Sequence, residues 1–79
     1  PFVHTVLHVT IDRQLQLGDP EYVATAYVRL VGQGMDEHEA LHAIISIYAN
    51  LHFAKTRRDM QFDALAYETQ INSLSFKPS

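Results

Sequence analysis

His4 and His8, and again His38 and His42, stand four residues apart, and these pairs hold four of the five histidines in a 79-residue chain. Residues so spaced share one face of an α-helix, so each pair can present two imidazoles side by side. Imidazole nitrogen is a common ligand for zinc, nickel, copper and iron ions. The second pair lies in H-E-A-L-H, the H-E-x-x-H spacing in which two histidines hold zinc and the glutamate acts as general base on bound water. Glu39 occupies that glutamate position. The competing reading of any such pair is two hydrogen-bonded histidines at a core boundary, without chemistry.

The bulk composition narrows what could support such a site. A single domain of this length is close to the size at which a hydrophobic core alone becomes marginal. The chain has no cysteine, so disulfides and thiolate ligands are excluded, leaving a nitrogen- or oxygen-ligated metal or a partner copy as the available aids. A hydrophobic content of 47% speaks against disorder. Net charge is −3, and the only cationic cluster is Lys55, Arg57 and Arg58. That cluster is too small to suggest nucleic-acid binding. No apolar run approaches the roughly 20 residues that cross a bilayer, so no membrane partner is expected. The opening lacks the basic stretch of a signal peptide, and cytoplasmic placement is expected. A chain that starts at Pro1 without a methionine suggests a processed or truncated piece with further residues upstream.

Hydrophobic periodicity and turn chemistry predict four helices. The first spans Phe2 to Leu17, with Leu7, Ile11 and Leu15 on the same side as the histidine pair, and Gly18 ends it. Asp19 as N-cap and Pro20 at the first helical position restart the chain. The second helix then runs to about Val31, drawing its core residues from Tyr22, Val23, Ala26, Tyr27 and Leu30. Asp36 with Glu39 forms a variant of the capping box and opens a third helix to about Arg57. Its broad apolar side carries Leu41, Ile45, Tyr48, Ala49, His52 and Phe53, with His38 and His42 within it. Its basic last turn opposes the helix dipole. A loop over Asp59 to Phe62 leads to a fourth helix from Asp63 to Leu74, and the tail after it is expected to be loose. The reading is an all-α, compact antiparallel bundle of about four helices forming one domain over residues 1–79.

In an up-down-up-down bundle the first and third helices point the same way. Both pairs lie in the first turns of their helices, so four imidazoles would converge at one level of the core. Such a set suits a tetrahedral zinc first, and nickel, copper or iron with other geometries. Closure by all four histidines would make the site structural, whereas three would leave a position for water and catalysis. Glu39 has a rival role as the N3 residue of its helix cap, and nothing downstream matches the extended zinc-peptidase patterns. Capping or support of the site is therefore the favoured role for Glu39 over catalysis. His52 lies too far along the third helix to join the set easily. Tyr22, Tyr27, Tyr48 and Tyr67 read as packing residues with polar tips, and Asp63 and Glu68 as a cap and a solvated side chain.

Several segments together carry a family resemblance: P-F-V-H-T-V-L-H at residues 1–8, Asp19-Pro20, G-M-D-E-H-E-A-L-H-A at residues 34–43, and D-A-L-A-Y at residues 63–67. With these the chain resembles a small uncharacterised bacterial family known only as a domain of unknown function. The resemblance implies a compact helical domain with paired histidines and additional N-terminal residues in its members. It implies no activity. Three functions therefore stand at this point: a metal-binding helical domain, a metal-dependent hydrolase using Glu39, and a metal-free homo-oligomerisation or interaction module.

Overall fold

The computed structural model describes residues 2–58 and 61–76, and for 55–58 the description covers the backbone alone. Four helices make up the described fold: α1 (Phe2–Leu17), α2 (Glu21–Gly32), α3 (Glu37–Arg58) and α4 (Ala64–Ser73). Their limits follow local chemistry. Gly18, at φ 63°, takes the left-handed conformation that ends α1. Asp36 Oδ2 accepts the backbone N–H groups of His38 and Glu39 at 3.0 and 3.3 Å, which caps the start of α3. Asp63 does the same for α4 through Ala66 N–H at 2.9 Å.

One boundary departs from expectation. The N-cap of α2 is Pro20 rather than Asp19, it makes no side-chain cap bond, and the Asp19–Pro20 peptide is cis. Pro20 is extended, at φ −72° and ψ 146°, so the helix begins at Glu21, one residue later than a proline at its first position would give. The expected dipole role of Lys55, Arg57 and Arg58 involves side chains outside the described residues, as does part of the expected 59–62 loop and of the tail.

The core is built from Ile11 of α1, Val23, Ala26 and Leu30 of α2, Ala40, Ile44 and Ile45 of α3, and Tyr67 and Ile71 of α4. Fully burying an aliphatic side chain of this size contributes about 1.5–3 kcal/mol. Tyr67 is the largest of the fully buried group. Its ring meets Tyr22, Tyr48 and Phe62 edge-on at centroid distances of 5.5–5.7 Å, and its hydroxyl donates to Gln14 Oε1 at 2.8 Å. That bond ties α4 to α1. Replacing Tyr67 with Phe strands the Gln14 acceptor and should cost about 1 kcal/mol, lowering a thermal melt by about 4–8 °C. An unchanged melting temperature would remove the bond from the account.

Packing differs from a simple square bundle. Among the described residues, α2 and α3 each pack against all three other helices, while α1 and α4 flank them without backbone contact with each other. Moving back along α1 from His8 to Phe2, the neighbours on α3 advance from His38 and His42 to His52 and Phe53. The two helices thus run in opposing senses where they meet, not in the same sense as the up-down-up-down expectation required. The buried face of α3 is also rotated from expectation. Ala40 and Ile44 are its deepest residues, Leu41, Tyr48, Ala49 and His52 are half-buried, and Phe53 is exposed. Residues two apart on a helix point to nearly opposite sides, so His42 faces away from Ile44 and toward α1.

Candidate metal centre

All four paired histidines nonetheless meet. Within α1 the rings of His4 and His8 lie 4.4 Å apart between centroids, and within α3 those of His38 and His42 lie 4.3 Å apart. Across the seam His8 approaches His42 at 4.9 Å, His4 approaches His42 at 5.7 Å and His8 stacks on His38 at 6.2 Å. The pairs meet crosswise at the edge of the bundle, with His4 and His38 exposed and His8 and His42 half-buried. The expected spacing within each pair is present, but the core location is replaced by a solvent-facing seam.

One potential ligand atom from each of His4, His8 and His42 lies within 4.8 Å of the other two. Zinc–nitrogen bonds of 2.0–2.1 Å in a tetrahedron place donors about 3.3 Å apart. The donors thus lie up to about 1.5 Å further apart than a bound zinc would hold them. His38 stands beside the three, against His42, and outside this tighter grouping. Buried polar atoms normally have a hydrogen-bond partner, yet Nε2 of His8 and Nε2 of His42 are both buried without one. The hydrogen-bonded-histidine alternative does not account for these two atoms.

The His42 imidazole has a pKa below the ordinary value, chiefly because burial disfavours its charged form, and then because His38, His8 and His4 would repel it. Neutral imidazole is the form that ligates metal. The same shift predicts a pH dependence for the metal-free protein. An unfolded histidine takes up a proton near pH 6.5, while the folded one resists until lower pH. The contribution of His42 to stability is therefore complete above about pH 6.5 and lost as the pH falls through its lowered folded value. Chelator-treated protein should show a lower urea midpoint at pH 5.5 than at pH 7.5, and equal midpoints would contradict this assignment.

The remaining sequence candidates take structural places. Glu39 is exposed, and its backbone N–H is one of the two held by Asp36. His52 packs its ring on Tyr48 at 5.9 Å and on Phe53 at 5.9 Å, further along α3. Asp63 caps α4, and Glu68 is exposed. The phenols of Tyr67, Tyr22 and Tyr27 all have raised pKa values, led by burial, and so stay protonated at neutral pH. For Tyr22 the charges of Glu68 and Asp19 add to the effect, and for Tyr27 those of Glu37, Asp36 and Asp12. A protonated phenol is a poor metal ligand.

Sequence reasoning missed the apolar groove further along the same seam. Phe2, Val3, Val6 and Leu7 of α1 line it with His52 and Phe53 of α3, around a cavity of about 220 Å³. Its signal was present in the spacing. Phe2, Val6, Val9 and Leu17 fall on the side of α1 opposite Ile11, and all four are exposed, which makes α1 apolar on two faces. Among the described residues no helix is long and apolar enough to cross a membrane.

No curated protein and no solved structure matches the chain significantly. A family profile, described as "Domain of unknown function (DUF1841)", matches residues 1–73 and therefore takes in all four helices and every paired histidine. The chain belongs to the DUF1841 family.

Proposed function

We propose that this domain binds a divalent metal ion, zinc first, through His4, His8 and His42, with His38 beside them as a fourth candidate ligand. The observation that carries the reading is the pair of buried, unpartnered Nε2 atoms on His8 and His42, within a group whose donors already lie within 4.8 Å of one another. Bound zinc would supply a positive charge that satisfies these nitrogens and pins α1 to α3. A 79-residue domain without cysteine gains from such a link. Nickel, copper and iron share the preference for imidazole, and copper is the strongest competitor in the divalent series. Protein purified without a polyhistidine tag should carry about one ion per chain by elemental analysis. The His4→Ala/His42→Ala double variant should carry none, and full metal content in it rejects the assignment.

A hydrolytic version of the site would use the Glu39 carboxylate to accept a proton from metal-bound water. Its exposed position and its place in the helix cap favour support of the fold instead. The Glu39→Gln variant should retain metal and lose no turnover against ester or peptide substrates, because none is expected from the parent. Chelator-sensitive hydrolysis that vanishes in this variant would reverse that view.

Homo-oligomerisation is the second reading, favoured by the exposed face formed by Phe2, Val6, Val9 and Leu17. Contiguous apolar surface of this kind is characteristic of contact sites. Light scattering on metal-loaded and metal-free protein separates the two ideas, since a dimer that forms equally in both owes nothing to the histidines.

A further inference from the structure

The two halves of α1 are held to the bundle very differently. Ile11 is the only fully buried residue of the helix. Beyond it, Leu15 packs against the core and Gln14 accepts the Tyr67 hydroxyl at 2.8 Å. The turn that follows closes through Gly18 N–H to Leu15 O and Asp19 N–H to Gln14 O. Before Ile11 the anchoring is sparse. Residues 2–6 are all exposed, as is Val9, while Leu7 packs against the core. Between Phe2, Val3, Val6 and Leu7 of this half and His52 and Phe53 of α3 stands a groove of about 220 Å³ in place of a filled interface. The ring contacts of His4 and His8 with His38 and His42 carry this half across to α3. Those contacts include the two buried, unpartnered Nε2 atoms. Few buried apolar contacts are the mark of a segment that opens locally.

We propose that residues 2–10 form a flap that opens independently of the rest of the bundle and that a bound metal ion locks shut. The proposal rests on the metal reading above. His4 and His8 lie on the flap and His42 on α3, so an ion ligated from both sides is compatible with the closed form alone. The closed form predominates without metal as well, and opening is a minor excursion from it. Nε2 of His8 and of His42 have no exposure to solvent, so an arriving ion needs them uncovered, and the opening flap uncovers them. Segments that admit ligands are drawn from the low-stability end of a fold for this reason. Metal occupancy then controls how often the His38–His42 face of α3 is uncovered.

Amide hydrogen exchange, followed by NMR on the whole chain in chelator and then in zinc, reads the opening residue by residue. The informative amides are those of Leu7, His8, Val9 and Thr10, which lie past the unbonded first turn of the helix. In chelator they should be at least about tenfold less protected than the amides of Ile44 and Ile45, and low urea should barely change them, because a local opening exposes little surface. Zinc at a hundredfold excess over its dissociation constant should slow their exchange by about a hundredfold, since the open flap cannot hold the ion. Equal protection of these amides and of Ile44 and Ile45 in chelator overturns the proposal, because α1 then opens only with the whole fold. That result leaves the metal reading standing. Fast exchange that zinc leaves unchanged, with one ion bound per chain, overturns both, because the ion is then not held between α1 and α3. Failure of zinc to bind at all likewise overturns the lock and the metal reading together.

Discussion

Zinc at a hundredfold excess over its dissociation constant should raise the melting temperature of the domain by about 10–20 °C. The size follows from linkage. A ligand at that excess stabilises the native state by about 2.7 kcal/mol, and each kcal/mol shifts the melt of a domain of this length by about 4–8 °C. His42→Ala removes the residue that pairs with both sides of the seam, 4.9 Å from His8 and 4.3 Å from His38 between ring centroids. The zinc-induced rise should therefore vanish in that variant. The metal-free melting temperature should change far less, because the substitution also removes one of the two unpartnered buried nitrogens. Differential scanning fluorimetry with and without chelator reads both quantities. A zinc-induced rise of parent size in His42→Ala would place the ion elsewhere.

Ile44→Ala should have the largest effect on the fold itself. Ile44 is fully buried on α3, which with α2 is one of the two helices that pack against all three others among the described residues. Truncating a buried aliphatic residue to alanine costs about 2–5 kcal/mol, a large part of the 5–15 kcal/mol typical of a whole domain. The metal-free variant should melt at least about 8 °C below the parent or be unfolded at room temperature. If zinc binds the native state as proposed, saturating zinc should recover part of the loss. Circular dichroism at 222 nm, followed with and without zinc, measures this. A loss below 1 kcal/mol would mean that Ile44 is not at the centre of the core. No recovery with zinc would mean that binding and folding are uncoupled.

Helix positions were largely legible in the sequence because their punctuation is local. Gly18, Asp36 and Asp63 terminate or cap helices through bonds within a few residues of themselves. The Asp19–Pro20 boundary was misplaced by one residue because a proline suits both the extended cap position and the first helical position, and the dipeptide alone does not choose. The pairing of histidines within α1 and within α3 was also readable, since i, i+4 geometry depends only on the helix.

Their meeting was anticipated on a topology that the structure does not have. Helix direction and rotation are set by long-range packing, and periodicity on α3 was ambiguous because its apolar residues cover most of the circumference. Ala40 went unnoticed as core because a small side chain adds little to a hydrophobic pattern, although it allows close approach. The result moves the cluster from a buried layer to a seam with one exposed edge. That shift bears on chemistry, because an exposed edge admits an outside ligand and a sealed layer does not. The groove lined by Phe2 and Phe53 was missed for the same reason, as its two walls come from residues about fifty positions apart.

X-ray absorption at the zinc edge, on protein loaded with one equivalent, tests most directly whether α1 and α3 share an ion. The account predicts at least three imidazole nitrogens at about 2.0–2.1 Å, falling by one in His8→Ala. A first shell of oxygens without the scattering signature of imidazole rings, or a spectrum unchanged in His8→Ala, would contradict it.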